Sequence, residues 1–313
     1  MSRLKLAILD DYQNVALDMA DWSRVAERCE ITVFDDHLAD PDEVVARLAP
    51  FDILCVMRER TPLPRAILER LPKLKMIASN SAANVSIDVA AAAERGIHVS
   101  HTEWLVYGTT EITWGLILSA MSNLRQEMTN LREGRWQQHV QRDINGRVLG
   151  IVGLGNFGQA VAKVGLAFGM KVIAWSRNLD PELARVHGVE PVTKEDLFGR
   201  SDVITVHMKL SERSRGMIGA EELALMKPEA WIVNCSRGPL IDEAALIAAL
   251  EAGRIGGAAL DTFDVEPLPL DHPFRILSNV VATPHIGFVT EDTYRLFYGQ
   301  QAAAIEAWLA GQA

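Results

Sequence analysis

Three segments of the sequence each place a side chain capable of chemistry directly after an apolar, strand-forming run. Arg237 follows the run 232–235, carboxylates follow the run 258–260, and His285 follows the run 280–283. The carboxyl ends of parallel strands meet at one edge of a sheet, so the three segments could converge on one ligand. Taken singly, each has a plain alternative: an exposed arginine, carboxylates that cap a turn, or a structural histidine.

Together, these residue types match what hydride transfer to a 2-oxo acid requires. A planar guanidinium holds a carboxylate through two parallel hydrogen bonds. A histidine gives the carbonyl oxygen its proton, and a carboxylate keeps that imidazole oriented and protonated near neutral pH. The combination therefore favours an oxidoreductase over three unrelated structural residues.

A glycine-rich turn supplies the second part of such a site. The apolar run 148–152 leads directly into Gly153-Leu154-Gly155-Asn156-Phe157-Gly158, and helical spacing follows over 159–168. The first glycine permits a tight turn, the second lets the backbone reach a pyrophosphate, and the third lets the helix pack on the strand. Such a motif is weak alone, but the next predicted strand, Lys171–Trp175, completes the βαβ unit, which predicts a dinucleotide site.

The elements that must position these residues alternate between strands and helices, which predicts an α/β protein with parallel sheets. Helices are expected at Pro41–Leu48 and Ser86–Arg95, then a long one at Thr109–Arg132, and a last one at Glu291–Gly311. A second βα series begins at Val148 and runs to about Ile286. The first series has five candidate strands: Leu4–Leu9, Glu30–Phe34, Phe51–Met57, Leu74–Ala78 and Ile97–Ser100.

Length, composition and charge narrow the class of protein. The 313 residues suit two domains, and 49% hydrophobic with 23% charged residues describes an ordinary globular chain. The net charge of −10 and the absence of a basic run argue against nucleic acid as a partner, so a small anionic substrate must be bound by local arginines. Three cysteines without metal or disulfide spacing, an N-terminal apolar stretch too short for a signal peptide, and no membrane-length apolar run predict a cytoplasmic protein.

From Asn14 almost to its end, the chain resembles the D-isomer-specific 2-hydroxyacid dehydrogenases, which include glyoxylate and hydroxypyruvate reductases and phosphoglycerate dehydrogenases. Arg237 and the carboxylate Glu266 are 29 positions apart, and Glu266 and His285 are 19 apart, as is typical of that family. The resemblance implies Arg237 as the substrate clamp, His285 as the acid and base, and Glu266 as its partner. The matching motifs are Gly153–Gly158, 234–238 with 242–246, Asp261 to Pro267, and 284–287.

The resemblance also implies an architecture. Residues 103–287 would form a Rossmann dinucleotide-binding domain, inserted into a flavodoxin-like substrate-binding domain made of residues 1–102 and 288–313. The active site would be the cleft between them. Family members are usually homodimers, and the Thr109–Arg132 helix is our candidate for the contact, although an amphipathic helix is more often ordinary core packing.

Two features of the first domain bear on the substrate. The family's glycine-containing loop, which binds the substrate carboxylate, corresponds here to the glycine-free stretch Ser79 to Asn84, in which Ser81 is the predicted contact. Asn and Ser tolerate turns, so the loop could still serve. Arg58 and Arg60 resemble arginines that hold anionic substrates in phosphoglycerate dehydrogenases, but two surface arginines flanking Glu59 are an equally open interpretation.

The end of the second cofactor-domain strand bears on the choice of cofactor. An NAD enzyme would carry an acid there for the ribose diol, whereas this chain has Ser176 and Arg177. The sequence therefore favours NADP over NAD, with NAD still possible. His98 and His101 lack partners for a zinc set, so no metal is inferred. The predicted cofactor contacts are Gly153, Gly155, Asn156, Phe157, Gly158, Ser176, Arg177, His207, Cys235, Asp261 and Gly287.

Two other functions remain open on the same residues. A dinucleotide-sensing corepressor shares this fold and would show weak turnover and a peptide-binding surface. A formate- or phosphite-type dehydrogenase is a further alternative, although formate enzymes of the family carry Gln at the position of Glu266. Reduction of glyoxylate, hydroxypyruvate or another 2-oxo acid by a purified sample would distinguish the first of these from a dehydrogenase.

Overall fold

A computed structural model describes residues 3–80 and 84–311. The chain forms two compact units, Met1–Leu105 with Val289–Ala313, and Val106–Phe288. Each unit contains one parallel sheet with helices, which confirms the predicted α/β fold of two doubly wound parallel sheets. Within the described ranges, no helix is both long and apolar enough to cross a membrane.

The first unit contains a five-stranded sheet in which every pair of neighbours is parallel. All five predicted strands are present, with ends that differ by two residues or fewer. The order β2-β1-β3-β4-β5 is that of flavodoxin-like folds. The strands are β1 (Leu4–Ile8), β2 (Cys29–Val33), β3 (Ile53–Val56), β4 (Met76–Ser79) and β5 (His98–Ser100).

Two helices of the first unit begin after aspartates that cap them. The side chain of Asp40 accepts hydrogen bonds from Asp42 N and Glu43 N, so α3 begins at Pro41 as expected. Asp88 caps the next long helix through Ala91 N, and that helix therefore begins at Val89 and not at Ser86. The first five helices are α1 (Ala16–Met19), α2 (Ser23–Arg28), α3 (Pro41–Leu48), α4 (Arg65–Leu68) and α5 (Val89–Glu94).

The second unit contains a seven-stranded parallel sheet in the order β12-β11-β10-β9-β6-β7-β8. When β6 is counted as strand 1, strands β6 to β11 have the Rossmann order 3-2-1-4-5-6. β12 is one further strand at the edge of the sheet next to β11. The direction of winding reverses between β6 and β9. The strands are β6 (Val148–Val152), β7 (Lys171–Trp175), β8 (Glu190–Pro191), β9 (Val203–Val206), β10 (Trp231–Asn234), β11 (Gly257–Leu260) and β12 (Val280–Ala282).

The predicted single helix Thr109–Arg132 is wrong, because the structure divides it into two helices. α6 (Tyr107–Met121) ends at Ser122, and α7 (Leu124–Arg132) begins after Asn123. Asn123 has a left-handed backbone with φ of 50°, which asparagine tolerates and a continuous helix excludes. The other helices are α8 (Asn156–Ala167), α9 (Pro181–Val186), α10 (Lys194–Arg200), α11 (Ala220–Leu225) and α12 (Glu243–Glu251).

The last helix, α13 (Glu291–Ala310), belongs to the first unit. Thr290 caps it through Thr293 N. The side-chain amide of Gln301 donates to Val56 O at 3.2 Å and to Ala78 O at 2.8 Å, near the carboxyl ends of β3 and β4. This helix therefore ties the end of the chain to the sheet built from its beginning.

Candidate active site

The glycine turn after β6 has a geometry that only glycine satisfies. Gly153 has φ of 97°, and a Cβ placed on it would lie 2.6 Å from the carbonyl oxygen of His207. A Cβ on Gly158 would lie 2.1 Å from the carbonyl oxygen of Gly153. The first and third glycines of the motif therefore allow the tight turn and the close packing of α8 on it.

The amino end of α8 has the features of a phosphate site. Gly155 is the N-cap and provides no side-chain cap, so the first backbone N–H groups of this 12-residue helix lack one. A Cβ on Gly155 would meet nothing within 4 Å, and both Gly155 and Asn156 are exposed. Open space in front of a helix amino end suits the approach of a pyrophosphate, so these residues fit a dinucleotide cofactor.

His207 lies directly after β9, on the other side of the point where the winding reverses. Neither ring nitrogen has a hydrogen-bond partner among the described residues, although both are buried. Burial lowers the pKa of His207 to about 4, so its imidazole is neutral at physiological pH. Buried polar atoms rarely lack a hydrogen-bond partner, so the ring nitrogens of His207 could be satisfied by a bound ligand. The predicted cofactor contact at this residue stays a prediction.

The end of β7 has no carboxylate where an NAD ribose would be bound. Trp175 ends the strand, and a turn closes with Leu179 N donating to Ser176 O at 3.1 Å. Arg177 is exposed in this turn. The ammonium of Lys194 lies 5.6 Å from the centre of the Trp175 ring. That ammonium also pairs with Glu222 Oε1 at 2.6 Å, so the exposed Arg177 is the cation of this turn that could bind a phosphate.

The predicted proton-transfer pair is assembled in the second unit. His285 Nδ1 lies 2.5 Å from Glu266 Oε2, a short hydrogen bond that also pairs opposite charges when the imidazole is protonated. The other oxygen of Glu266 accepts the backbone N–H of Phe263 at 2.9 Å. The ring of Phe288 meets the imidazole edge to face, with centroids 5.4 Å apart. These contacts fix the imidazole plane and leave Nε2 as the nitrogen that could meet a substrate.

Asp261 organises the loop that carries His285. Its carboxylate is fully buried and accepts hydrogen bonds from Thr283 Oγ1 at 2.6 Å and from the backbone N–H groups of Ile286 and Gly287, both at 2.8 Å. Burial raises the pKa of Asp261, and these three bonds oppose that effect. His285 itself has a left-handed backbone, with φ of 51°. Asp261 thus stabilises an unfavourable conformation at the histidine, while its predicted cofactor contact stays a prediction.

Arg237 lies at the carboxyl end of β10, where its loop is fixed by Asn234. The Asn234 amide donates to Arg237 O at 2.8 Å and accepts from Ser236 N at 3.0 Å. Arg237 Nη1 donates to Ser236 O at 2.7 Å, and the side chain is partly exposed. A Cβ on Gly238 would lie 2.1 Å from the backbone of Phe263, so the arginine loop packs directly on the loop that carries Glu266.

Two other predicted residues are buried next to these loops. Cys235 is 6% exposed, and burial raises its pKa to about 12, so the thiol stays protonated. Gly287 is packed closely, because a Cβ there would lie 3.0 Å from Asp261 Oδ2. Both residues therefore contribute packing or backbone groups to the site, and no nucleophile is present at Cys235.

The predicted substrate arginines lie in the first unit, after β3. The side chain of Arg58 is 18% exposed, so it is not an ordinary surface arginine. Its backbone is left-handed, with φ of 56°. Arg60 Nη1 donates to Asp10 O at 2.7 Å. Ser81 lies outside the described residues.

Sequence reasoning missed the residues that fix the backbone of Arg58. Asn80 Oδ1 accepts the Arg58 N–H at 2.6 Å, and the side-chain amide of Asn84 donates to Arg58 O at 2.5 Å. Asn84 also contacts Ser79 Oγ at 3.3 Å. The two asparagines of the glycine-free stretch therefore hold a strained turn. Their type hinted at turn formation, but the partner lies more than 20 positions earlier and has no local signal.

Comparison with known proteins gives a consistent result. The family described as "D-isomer specific 2-hydroxyacid dehydrogenase, NAD binding domain" matches residues 114–287. The chain is 41% identical over 258 residues to a D-3-phosphoglycerate dehydrogenase of Methanocaldococcus jannaschii, a match that covers 81% of this chain and 49% of that protein. This chain therefore spans about half the length of that relative.

Two further proteins match nearly end to end. A hydroxypyruvate reductase of Thermotoga maritima is 37% identical over 289 residues, covering 90% of this chain and 92% of that one. The crystal structure of a phosphoglycerate oxidoreductase from Vibrio cholerae has a TM-score of 0.93 and 34% identity, covering 99% of this chain and 100% of that one.

Proposed function

This chain belongs to the D-isomer specific 2-hydroxyacid dehydrogenase family, and we propose that it is an NAD(P)-dependent reductase of a small 2-oxo acid that forms the D-2-hydroxy acid. One observation carries the proposal: the 2.5 Å hydrogen bond between His285 and Glu266, in the same unit as a glycine turn fitted to a dinucleotide. Proton transfer to a carbonyl oxygen requires an acid and base oriented in this way. The corepressor alternative gains no support from the relatives named above.

Arg237, His285 and Glu266 have distinct parts in the proposed reaction. Arg237 binds the substrate carboxylate and orients the carbonyl group. Because Nδ1 of His285 is bonded to Glu266, Nε2 donates the proton to the carbonyl oxygen and accepts it back in the oxidative direction. Glu266 stabilises the imidazolium before the proton leaves. A bound nicotinamide supplies or accepts the hydride.

We propose NADP(H) as the preferred cofactor. Ser176 offers a hydroxyl where a carboxylate would repel a 2′-phosphate, and the exposed Arg177 in the same turn can pair with that phosphate. Gly153, Gly155, Asn156, Phe157 and Gly158 would bind the pyrophosphate through the turn and the amino end of α8. His207, Cys235, Asp261 and Gly287 are the proposed contacts nearer the nicotinamide.

The substrate is proposed to be a small anion of the 2-oxo acid class. Arg58, Arg60 and Ser81 of the first unit are its proposed additional contacts, the last of them outside the described residues. The relatives are named as reductases of glyoxylate and hydroxypyruvate and as a dehydrogenase of D-3-phosphoglycerate. These acids and their 2-oxo forms should therefore be tried first.

A homodimer is proposed on the exposed face of α7. Leu124, Met128 and Leu131 follow each other at helical spacing and are 48%, 50% and 62% exposed, and Trp136 nearby is 73% exposed. Exposed apolar faces of this kind mark association sites. Sedimentation of the parent and of Leu131→Glu would test it: a dimeric parent and a monomeric variant are expected, and a monomeric parent contradicts the proposal.

All three cysteines are free and buried, which supports a reducing compartment, and a cytoplasmic location is proposed.

The test of the function is a spectrophotometric screen of 2-oxo acids with NADPH and NADH. We expect oxidation of the reduced cofactor with at least one of glyoxylate, hydroxypyruvate and pyruvate. His285→Ala serves as the control, because it retains the cofactor turn but lacks the proton donor. A parent protein that binds NADPH but reduces none of these acids would favour the dinucleotide-sensing alternative.

A further inference from the structure

The guanidinium of Arg60 is held from several sides within the first unit. Its carbon atom lies 4.3 Å from the centre of the Tyr12 ring, so the cation stacks on an aromatic face. Its Nη1 donates to the carbonyl oxygen of Asp10 at 2.7 Å. Tyr12 is 40% exposed, whereas Asp10 is buried, so the guanidinium lies between a buried anchor and a ring open to solvent.

Tyr294 of α13 completes this arrangement. Its hydroxyl donates to Gln13 Oε1 at 3.0 Å and also shares a hydrogen bond with the Arg60 guanidinium. A guanidinium can only donate, so the Tyr294 oxygen accepts from Arg60 while its proton goes to Gln13. Burial raises the pKa of Tyr294, and the positive charge of Arg60 opposes that effect. The hydroxyl therefore stays protonated and links the side chains of Arg60 and Gln13 through hydrogen bonds.

Asp10 anchors the same segment a second time through its carboxylate. Its Oδ2 accepts the hydroxyl of Thr61 at 2.7 Å, and its Oδ1 lies 2.9 Å from His37 Nδ1. Its backbone is left-handed, with φ of 57°, which turns the carbonyl oxygen toward Arg60. One buried residue thus fixes both the guanidinium of Arg60 and the position that follows it.

The location of this arrangement points to a ligand. In the sheet order β2-β1-β3-β4-β5, the winding reverses between β1 and β3. Doubly wound sheets bind ligands outside the carboxyl ends of the strands at this point. Asp10 and Tyr12 follow β1, and Arg60 follows β3. A cation fixed at this place, on a partly exposed ring, is suited to an anionic group.

We propose that Tyr12 and Tyr294 are positioning residues that hold the Arg60 guanidinium for a second anionic group of the substrate. They thereby favour 2-oxo acids that carry a distal carboxylate or phosphate over those that do not. The inference rests on the proposed function, in which Arg60 contacts the substrate. Their contribution is to orientation, because neither tyrosine needs to touch the substrate itself.

Matched pairs of substrates test this selection. Oxaloacetate differs from pyruvate by one carboxylate, and 3-phosphohydroxypyruvate differs from hydroxypyruvate by one phosphate. For each pair, the quantity measured is the ratio of kcat/KM for the doubly anionic acid to that for its partner. Arg60→Met removes the cation and should bring the ratio to its lowest value.

Tyr12→Leu should lower the ratio by about three- to thirtyfold, mainly through KM, which is the range expected for a lost cation–π contact. Tyr12→Phe retains an aromatic face and should restore most of the ratio. Tyr294→Phe removes only the hydroxyl and should give a smaller decrease. Phe34→Leu is the control, because it removes a similar contact, 4.6 Å from the guanidinium of a different arginine, Arg47. It should leave the ratio unchanged.

Each outcome is decisive when thermal melting shows that the variants fold. The inference is overturned if Tyr12→Leu lowers kcat/KM equally for both members of a pair, if Tyr12→Phe behaves like Tyr12→Leu, or if Phe34→Leu changes the ratio as much. It is also overturned if the parent does not favour the doubly anionic acid of either pair. A parent that reduces pyruvate or hydroxypyruvate but fails these criteria retains the proposed function. A parent that reduces no 2-oxo acid overturns both.

Discussion

The two units each have a point where the winding of the sheet reverses, and the two points are built in different ways. Between β6 and β9, the geometry comes from the backbone: Gly153 and Gly158 leave no room for a Cβ. Between β1 and β3, it comes from side chains: Arg60 is held by a ring, a carbonyl oxygen and a hydroxyl.

This difference indicates which of the two places tolerates substitutions without loss of its structure. A turn that accepts only glycine is fixed by sterics, so it suits an invariant ligand such as the cofactor. An arginine held by Tyr12 and Tyr294 can be altered by single substitutions that leave the sheet intact. Changes in the second unit should therefore affect every substrate alike, whereas changes around Arg60 should affect substrates selectively.

The largest effect is expected at His285. His285→Ala removes the proton donor and should lower kcat by about 10²–10⁴ for every 2-oxo acid tested, because the carbonyl oxygen of each needs the same proton. Steady-state kinetics with two or more substrates measures this. Near-full activity in the variant would remove His285 from the mechanism, and a loss confined to one substrate would break the contrast between the units.

Arg237→Lys should have the next largest effect. It keeps the positive charge but loses the paired donors that orient the substrate carboxylate, so kcat/KM should fall on the order of a hundredfold. The fall should again be similar for all substrates, since each carries that carboxylate. Arg254→Lys, at an arginine that donates to backbone carbonyls of the α11 region, is a matched control that should retain activity. A fully active Arg237→Lys enzyme would exclude a role for the planar fork.

Arg177→Ala should have a smaller effect that appears in the cofactor and not in the substrate. The parent should prefer NADPH, and the variant should lose about two- to fivefold of that preference, because Arg177 is exposed and its ion pair with a phosphate is screened by water. The measurement is the ratio of kcat/KM for NADPH to that for NADH. A parent that prefers NADH, or a variant with the parent's preference, would contradict the assignment.

Alkylating reagents should have almost no effect on the native enzyme through its cysteines. Burial raises the pKa of Cys235 to about 12, so at pH 8 only about one thiol in 10⁴ is ionised there, and alkylation becomes appreciable only as the pH rises toward that value. Iodoacetamide at pH 8 should leave the native enzyme active and label all three cysteines only after denaturation. Mass spectrometry reports the labelled positions, and rapid inactivation with label on Cys235 would show a reactive thiol.

The contrast between the units also explains how far the sequence could be interpreted. In the second unit, Gly153, Glu266 and His285 belong to short motifs at the ends of strands, so their placement was predictable from residue type and spacing. The loop that carries His285 is anchored by Asp261, only two dozen or so positions from its partners.

In the first unit, the corresponding contacts join distant parts of the chain. Asp10 contacts Arg60 across 50 positions and Thr61 across 51, and Tyr294 contacts Gln13 across 281. No local pattern encodes such pairs, so Arg58 and Arg60 could be named but their surroundings could not. The break between α6 and α7 was missed for another reason: the left-handed backbone of Asn123 leaves the apolar periodicity on either side unchanged.

The most direct test of the central claim is to follow the hydride itself. NADPH or NADH carrying deuterium at both hydrogen positions of nicotinamide C4 would be incubated with the protein and the best 2-oxo acid from the screen whose product is chiral, such as hydroxypyruvate or pyruvate. The product would be examined by mass spectrometry and chiral chromatography. The account predicts a D-2-hydroxy acid with one deuterium at C2, and no such product from His285→Ala beyond a trace. A product without deuterium, an L-isomer, or cofactor binding without any product would contradict it.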